Sequence, residues 1–117
     1  MGQKLKAVMP SLRERKRYIV FDILSDKQFS GTAAGNAITK AVVSFVGELG
    51  LARMGLVILT DNYHANKGIV RVGHTGVDAF KASIALMSSI EGHPAVVRSV
   101  KVSGNIGVTK TAMQSTS

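Results

Sequence analysis

There is no cysteine among the 117 residues, which excludes a disulfide scaffold, a thiolate zinc site and a cysteine nucleophile together. Tryptophan is absent too, and two tyrosines and four phenylalanines complete the aromatic set. A wide platform for stacking unpaired bases has little to be built from. Acids are scarce: seven Asp and Glu face fifteen Lys and Arg, a formal net charge of +8. No apolar run approaches the roughly 18 residues of a membrane span, and the opening MGQKLKAVMPSL lacks a hydrophobic signal core. What is present is a chain 45% apolar, enough for a packed core and too much for a disordered polymer. Its length fits one domain. The expectation is a small, basic, cytoplasmic protein with no membrane partner.

The charge is uneven. Lys4, Lys6, Arg13, Arg15, Lys16 and Arg17 crowd the start against the single acid Glu14. Residues 1–16 therefore read as a basic arm, 17–110 as one α/β domain and 111–117 as a frayed tail. A basic arm before a folded body suits a polyanion, because each neutralised phosphate releases counterions; a merely solubilising tail is the plain alternative. A membrane surface would need bulky apolar residues opposite the charge, and Pro10 interrupts the segment.

Along the body, Arg17–Ser25 is rich in β-branched and aromatic residues with both parities largely apolar, as in a covered strand. From Ser30 the period changes: Ala34, Ile38, Ala41, Val42, Phe45 and Leu49 mark one helical face, with Gly50 as its stop. Arg53–Thr60 and Lys67–Gly73 read as two strands of a hairpin across a turn-rich link. Thr75 and Asp78 have the spacing of a helix N-cap and a first-turn acid. Val77, Phe80, Ile84 and Met87 follow as its apolar stripe, and Ala95–Ser103 is the last strand.

The order β-α-β-β-α-β is that of an α+β, ferredoxin-like or RNA-recognition-like sandwich. It predicts a four-stranded antiparallel sheet with both helices on one face and the other face open. Fold alone does not name a function.

RNA-recognition motifs read unpaired bases with aromatics on the central strands. In Lys67-Gly-Ile-Val-Arg-Val-Gly-His74, Ile69 and Arg71 stand where those rings would be. Lys67 and Arg71 still suit phosphates of a folded RNA. No catalytic set emerges: His64, His74 and His93 are scattered without metal-ligand spacing, and no Ser-His-Asp arrangement is visible. Asp22, Asp26 and Asp61 could meet at strand ends and hold magnesium, although such acids usually serve turns. The residues alone leave open an RNA-folding subunit, a general RNA-binding or ribosome-associated module, and a small-molecule regulatory domain.

Three segments carry a resemblance. Ser11-Leu-Arg-Glu-Arg-Lys-Arg-Tyr-Ile-Val-Phe-Asp-Ile-Leu-Ser25, Lys67-Gly-Ile-Val-Arg-Val72 and Val102-Ser-Gly-Asn-Ile106 together resemble ribonuclease P protein component 2, an archaeal family with eukaryotic homologues. The likeness spans about residues 9–110, and Asn105 departs from the usual Thr of a Ser-Gly-Thr-Ile element. The resemblance implies a protein subunit that helps a catalytic RNA remove the 5′ leader of precursor tRNA, in a magnesium-dependent hydrolysis with no protein catalytic residues. It implies no cofactor or metal bound by the protein. Its implied partners are the catalytic domain of ribonuclease P RNA, precursor tRNA within the holoenzyme, and a TIM-barrel protein subunit (component 3), two such pairs joining as a heterotetramer.

Arg13, Arg15, Lys16 and Arg17 are the expected main RNA contacts, with Lys67 and Arg71 next. Arg17 is also placed to pair with Asp22 or Asp26. The protein partner is expected on the open sheet face or an edge, with Tyr18, Val20 and Val97 as candidate contacts and core packing as the alternative.

Overall fold

The computed structural model describes residues 15–115. Strand β1 (Lys16–Leu24) is followed by helix α1 (Gly31–Met54), short β2 (Val57–Ile58), β3 (Lys67–Gly73) and helix α2 (Val77–Ala85). A small hairpin of β4 (Ser89–Ile90) and β5 (His93–Pro94) leads into β6 (Val96–Ser103) and helix α3 (Ile106–Ser115). The main sheet is antiparallel in the order β2-β3-β1-β6. This is the expected ferredoxin-like α+β sandwich. No helix among the described residues is long and apolar enough to cross a membrane.

Period-two alternation sorts the strands into two faces. Ile19, Phe21 and Ile23 of β1, Val70 and Val72 of β3 and Val97 of β6 share one cluster with Ile38 and Val42 of α1 and Phe80 and Ile84 of α2. That first face is the main core. Val20 and Ile69 point the other way and are also fully buried, outside that cluster.

The cover on this second face is α3, which packs across β1, β3 and β6. The open face expected from the sequence is therefore closed by a third helix, and residues 111–115 belong to that helix instead of a frayed tail. Asn105 starts it. Its Oδ1 accepts the Gly107 amide at 2.8 Å and its carbonyl accepts from Val108 and Thr109, satisfying donors that a helix start leaves unpaired. Thr109, within this helix, is fully buried.

Other boundaries move for identifiable reasons. Helix α1 runs past Gly50 to Met54: the non-helical residue is Gly47 (φ 79°), and the left-handed cap is Gly55 (φ 66°), whose amide reaches the Leu51 and Ala52 carbonyls. Ser30 caps the other end, its Oγ accepting the Ala33 amide at 3.0 Å. The expected strand over 53–60 shrinks to Val57–Ile58, because Arg53 and Met54 complete the helix. Helix α2 is preceded by a 3-10 turn over His74–Gly76, so Gly76, not Thr75, occupies its N-cap.

Candidate nucleic-acid interface

The second face is where cations gather. Strand register sets three successive rungs across β3, β1 and β6: Lys67–Asp22–Arg98, Ile69–Val20–Lys101 and Arg71–Tyr18–Ser103. Neighbouring strands lie about 4.8 Å apart and alternate residues about 6.7 Å apart along a strand, so the cations surround a small apolar centre. Lys67, Arg71, Arg98 and Lys101 share this face with the single acid Asp22. The helices over the first face are closer to balance, with Lys40, Arg53 and Lys81 against Glu48 and Asp78.

Asp22 is engaged by Arg98. The guanidinium donates from Nε to Oδ1 at 2.9 Å and from Nη2 to Oδ2 at 2.6 Å. This paired geometry fixes the fork while its side chain stays 56% exposed. The hydrogen bonds to Asp22, with the carboxylate's charge, push the Arg98 pKa further above its usual value. Remaining guanidinium donors are left for an outside acceptor.

The sequence candidates fall into separate places. Arg13 lies outside the described residues. Arg15 is exposed, and its carbonyl accepts the His74 amide at 2.8 Å, tying the entry of β1 to the end of β3. Lys16 is exposed opposite Gly73. Arg17 folds back, Nη1 donating to the Lys16 carbonyl at 3.0 Å; the expected pairing with Asp22 is taken by Arg98. Arg71 is half-buried between Tyr18 and Val57, and its Nε is buried without a hydrogen-bond partner among the described residues. Lys67 is half-buried at the far end of β3.

Arg15, Lys16 and Arg71 thus share one end of the sheet, and Lys67 sits about 13 Å from Arg71 along its strand. Val20 is 0% and Val97 3% exposed. Neither is available to a protein partner: the first lies under α3, the second in the main core.

Two cations were missed, Arg98 and Lys101. They are three residues apart, and an unbroken strand would put them on opposite faces. A β-bulge breaks the rule: Arg98 pairs with Asp22 and Lys101 with Val20, the register slipping at Val100. The signal available in the sequence was two cations and no acid in AVVRSVKVS.

Among the described residues, no three His, Asp or Glu side chains gather where they could hold a metal ion. Asp22 is committed to Arg98, and Asp26 and Asp61 are exposed in different connections. The structure does not bring these three acids together.

Comparison with known proteins turns this geometry into a family. The model of the Rpp14/Pop5 family matches residues 17–114. The chain belongs to the Rpp14/Pop5 family. It is 33% identical over 106 residues to ribonuclease P protein component 2 of Pyrococcus furiosus, covering 91% of this chain and 88% of that protein. Identity to ribonuclease P protein component 2 of Methanocaldococcus jannaschii is 35% over 106 residues, covering 91% and 78%. In fold it is similar to a chain in the cryo-EM structure of yeast ribonuclease MRP, with a TM-score of 0.62, 16% identity, and 87% and 92% of the two chains covered.

Proposed function

We propose that this chain is a protein subunit of ribonuclease P that binds the catalytic RNA and stabilises its active conformation for 5′ leader removal from precursor tRNA. The observation that carries the reading is the concentration of Lys67, Arg71, Arg98 and Lys101 on one face against Asp22, in a chain of this family. Such a face holds phosphates and 2′-hydroxyls, not splayed bases.

In this reading the RNA is the catalyst, magnesium belongs to the RNA, and the protein replaces part of the counterion atmosphere where RNA helices crowd. Arg13, Arg15, Lys16 and Arg17 supply the contacts before and at the start of β1, with Lys67 and Arg71 behind them. A TIM-barrel subunit of the same enzyme is the proposed protein partner, two such pairs forming a heterotetramer in the cytoplasm.

The test is precursor-tRNA cleavage by the cognate catalytic RNA at low magnesium, with this chain and the TIM-barrel subunit added singly and together. Cleavage restored only by the pair supports the reading. Cleavage indifferent to this chain, with tight RNA binding retained, identifies a general RNA-binding module instead.

A further inference from the structure

Strand β6 forms the outer edge of the main sheet, paired only with β1 among the described residues. Its side chains are valines, serines and two cations, with Arg98 and Lys101 exposed and no acid over Val96–Ser103. Beside it, Lys101, Asn105, Gly107, Val108, Thr111 and Ala112 line an open groove of about 620 Å³ between the strand and α3.

An exposed strand edge invites a second strand, and proteins block that with charge and bulges. Both devices are here: the ladder slips at Val100, and the cations flank the slip. The bulge has a second consequence. In an unbroken ladder Lys101 would stand opposite Ile19, on the core side; the slip sets it opposite Val20, on the same face as Arg98. The edge is thus poor for strand addition and suited to a ligand with repeated negative charge.

We propose that the β6 edge and its groove against α3 form an RNA-backbone ridge, in which Arg98, hydrogen-bonded to Asp22, and Lys101 contact phosphates. The ridge rests on the ribonuclease P subunit reading and adds to it. It lies at the sheet edge opposite β2 and across β1 from Lys67 and Arg71, so the RNA spans the width of the sheet.

The experiment measures binding of the full chain to the catalytic domain of ribonuclease P RNA across a salt series. Arg98→Gln with Lys101→Gln is compared with Lys40→Gln and Lys81→Gln, an equal charge loss on the first-face helices. The ridge predicts that the first pair lowers the slope of log K against log salt by about 1.4–1.8, at roughly 0.7–0.9 per neutralised phosphate, while the control pair leaves it unchanged. Lys101→Gln alone is expected to remove about half of that slope even where the double variant folds poorly, because the Arg98–Asp22 pair stays intact in it.

Equal effects of both pairs reduce the ridge to net charge and overturn it. An unchanged slope in the first pair, with wild-type cleavage support intact, overturns the ridge and leaves the subunit reading standing. A retained slope with lost binding to the TIM-barrel subunit makes the edge a protein interface instead. Wild-type protein that neither binds this RNA nor supports cleavage removes both.

Discussion

The sheet is covered on both faces, but by different chemistry. On the first face, α1 and α2 deliver large apolar side chains, with Phe80, Ile38, Val42 and Ile84 packed on Phe21, Ile19, Val70 and Val72. On the second, α3 packs across β1, β3 and β6 and contributes a fully buried threonine, and the rungs of that face end in cations. Burial energy follows apolar area, so the first face holds the domain together. The second gives up much of that stabilisation and gains a charged surface close to a thin apolar seat. Stability and polyanion recognition are thereby assigned to opposite sides of one sheet.

The hardest way to break this comparison is to empty the first face. Phe80→Ala removes a fully buried ring and is expected to cost about 3–5 kcal/mol. That is a large part of a typical domain's stability of about 5–15 kcal/mol, and urea unfolding at neutral pH measures it. A cost below about 1 kcal/mol would mean that the first face is not the principal core.

Removing α3 is the corresponding change on the second face. A chain ending after Gly104 is expected to keep the fold and lose on the order of 2 kcal/mol, since Val20 and Ile69 become only partly exposed between neighbouring strands. Its unfolding midpoint should fall by less than in Phe80→Ala, and it should bind a hydrophobic dye that the full chain does not. Complete unfolding of the truncated chain would make α3 an equal partner in the core.

How much of this was legible in the sequence follows from the same asymmetry. Strands β1, β3 and β6 are legible from their runs of β-branched residues, with both parities of β1 largely apolar. Helix α1 was visible but ended too early: Gly50 looks like a stop, yet only the residues in left-handed backbone, Gly47 and Gly55, break or cap it. Helix α3 gave almost no signal. Ile106–Ser115 mixes Ile106, Val108 and Met113 with small and polar residues; its Asn105 cap is local, but its packing across β1, β3 and β6 is a tertiary fact. Arg98 and Lys101 were hidden for a similar reason, because period-two reading assigns them to opposite faces until the bulge is known. Lys67 and Arg71 fall on one face as period two predicts, because β3 is regular.

A smaller effect sharpens the charged side. Replacing Arg13, Arg15 and Lys16 with alanine is expected to flatten the salt dependence of RNA binding by about 0.7–0.9 log unit for each phosphate no longer neutralised. The unfolding midpoint should scarcely change, because Arg15 and Lys16 are exposed and surface charges contribute little to stability. An unchanged slope would confine the RNA to the folded face and remove these residues from the interface.

The finest distinction is how the two sides treat ionisation itself. Arg98 is held charged by Asp22 on the second face. On the other side Tyr63 sits against Phe21, ring centroids 6.4 Å apart, and burial raises its pKa above 10.0. Its hydroxyl donates to the Phe29 carbonyl at 2.8 Å and lies 3.2 Å from Asn66 Oδ1. Asn66, in left-handed backbone (φ 62°), also accepts the Phe29 amide and donates to the Lys27 carbonyl, joining the β1–α1 and β2–β3 connections. Because the folded chain holds the Tyr63 proton more tightly than the unfolded one, this contribution is complete below about pH 10. It is lost as pH rises through the raised folded value. The stability gap between wild type and Tyr63→Phe should therefore be about 1 kcal/mol near neutral pH and shrink in alkali. A gap that stays constant above pH 10 would show that the phenolate is not penalised, and that the first side tolerates charge as readily as the second.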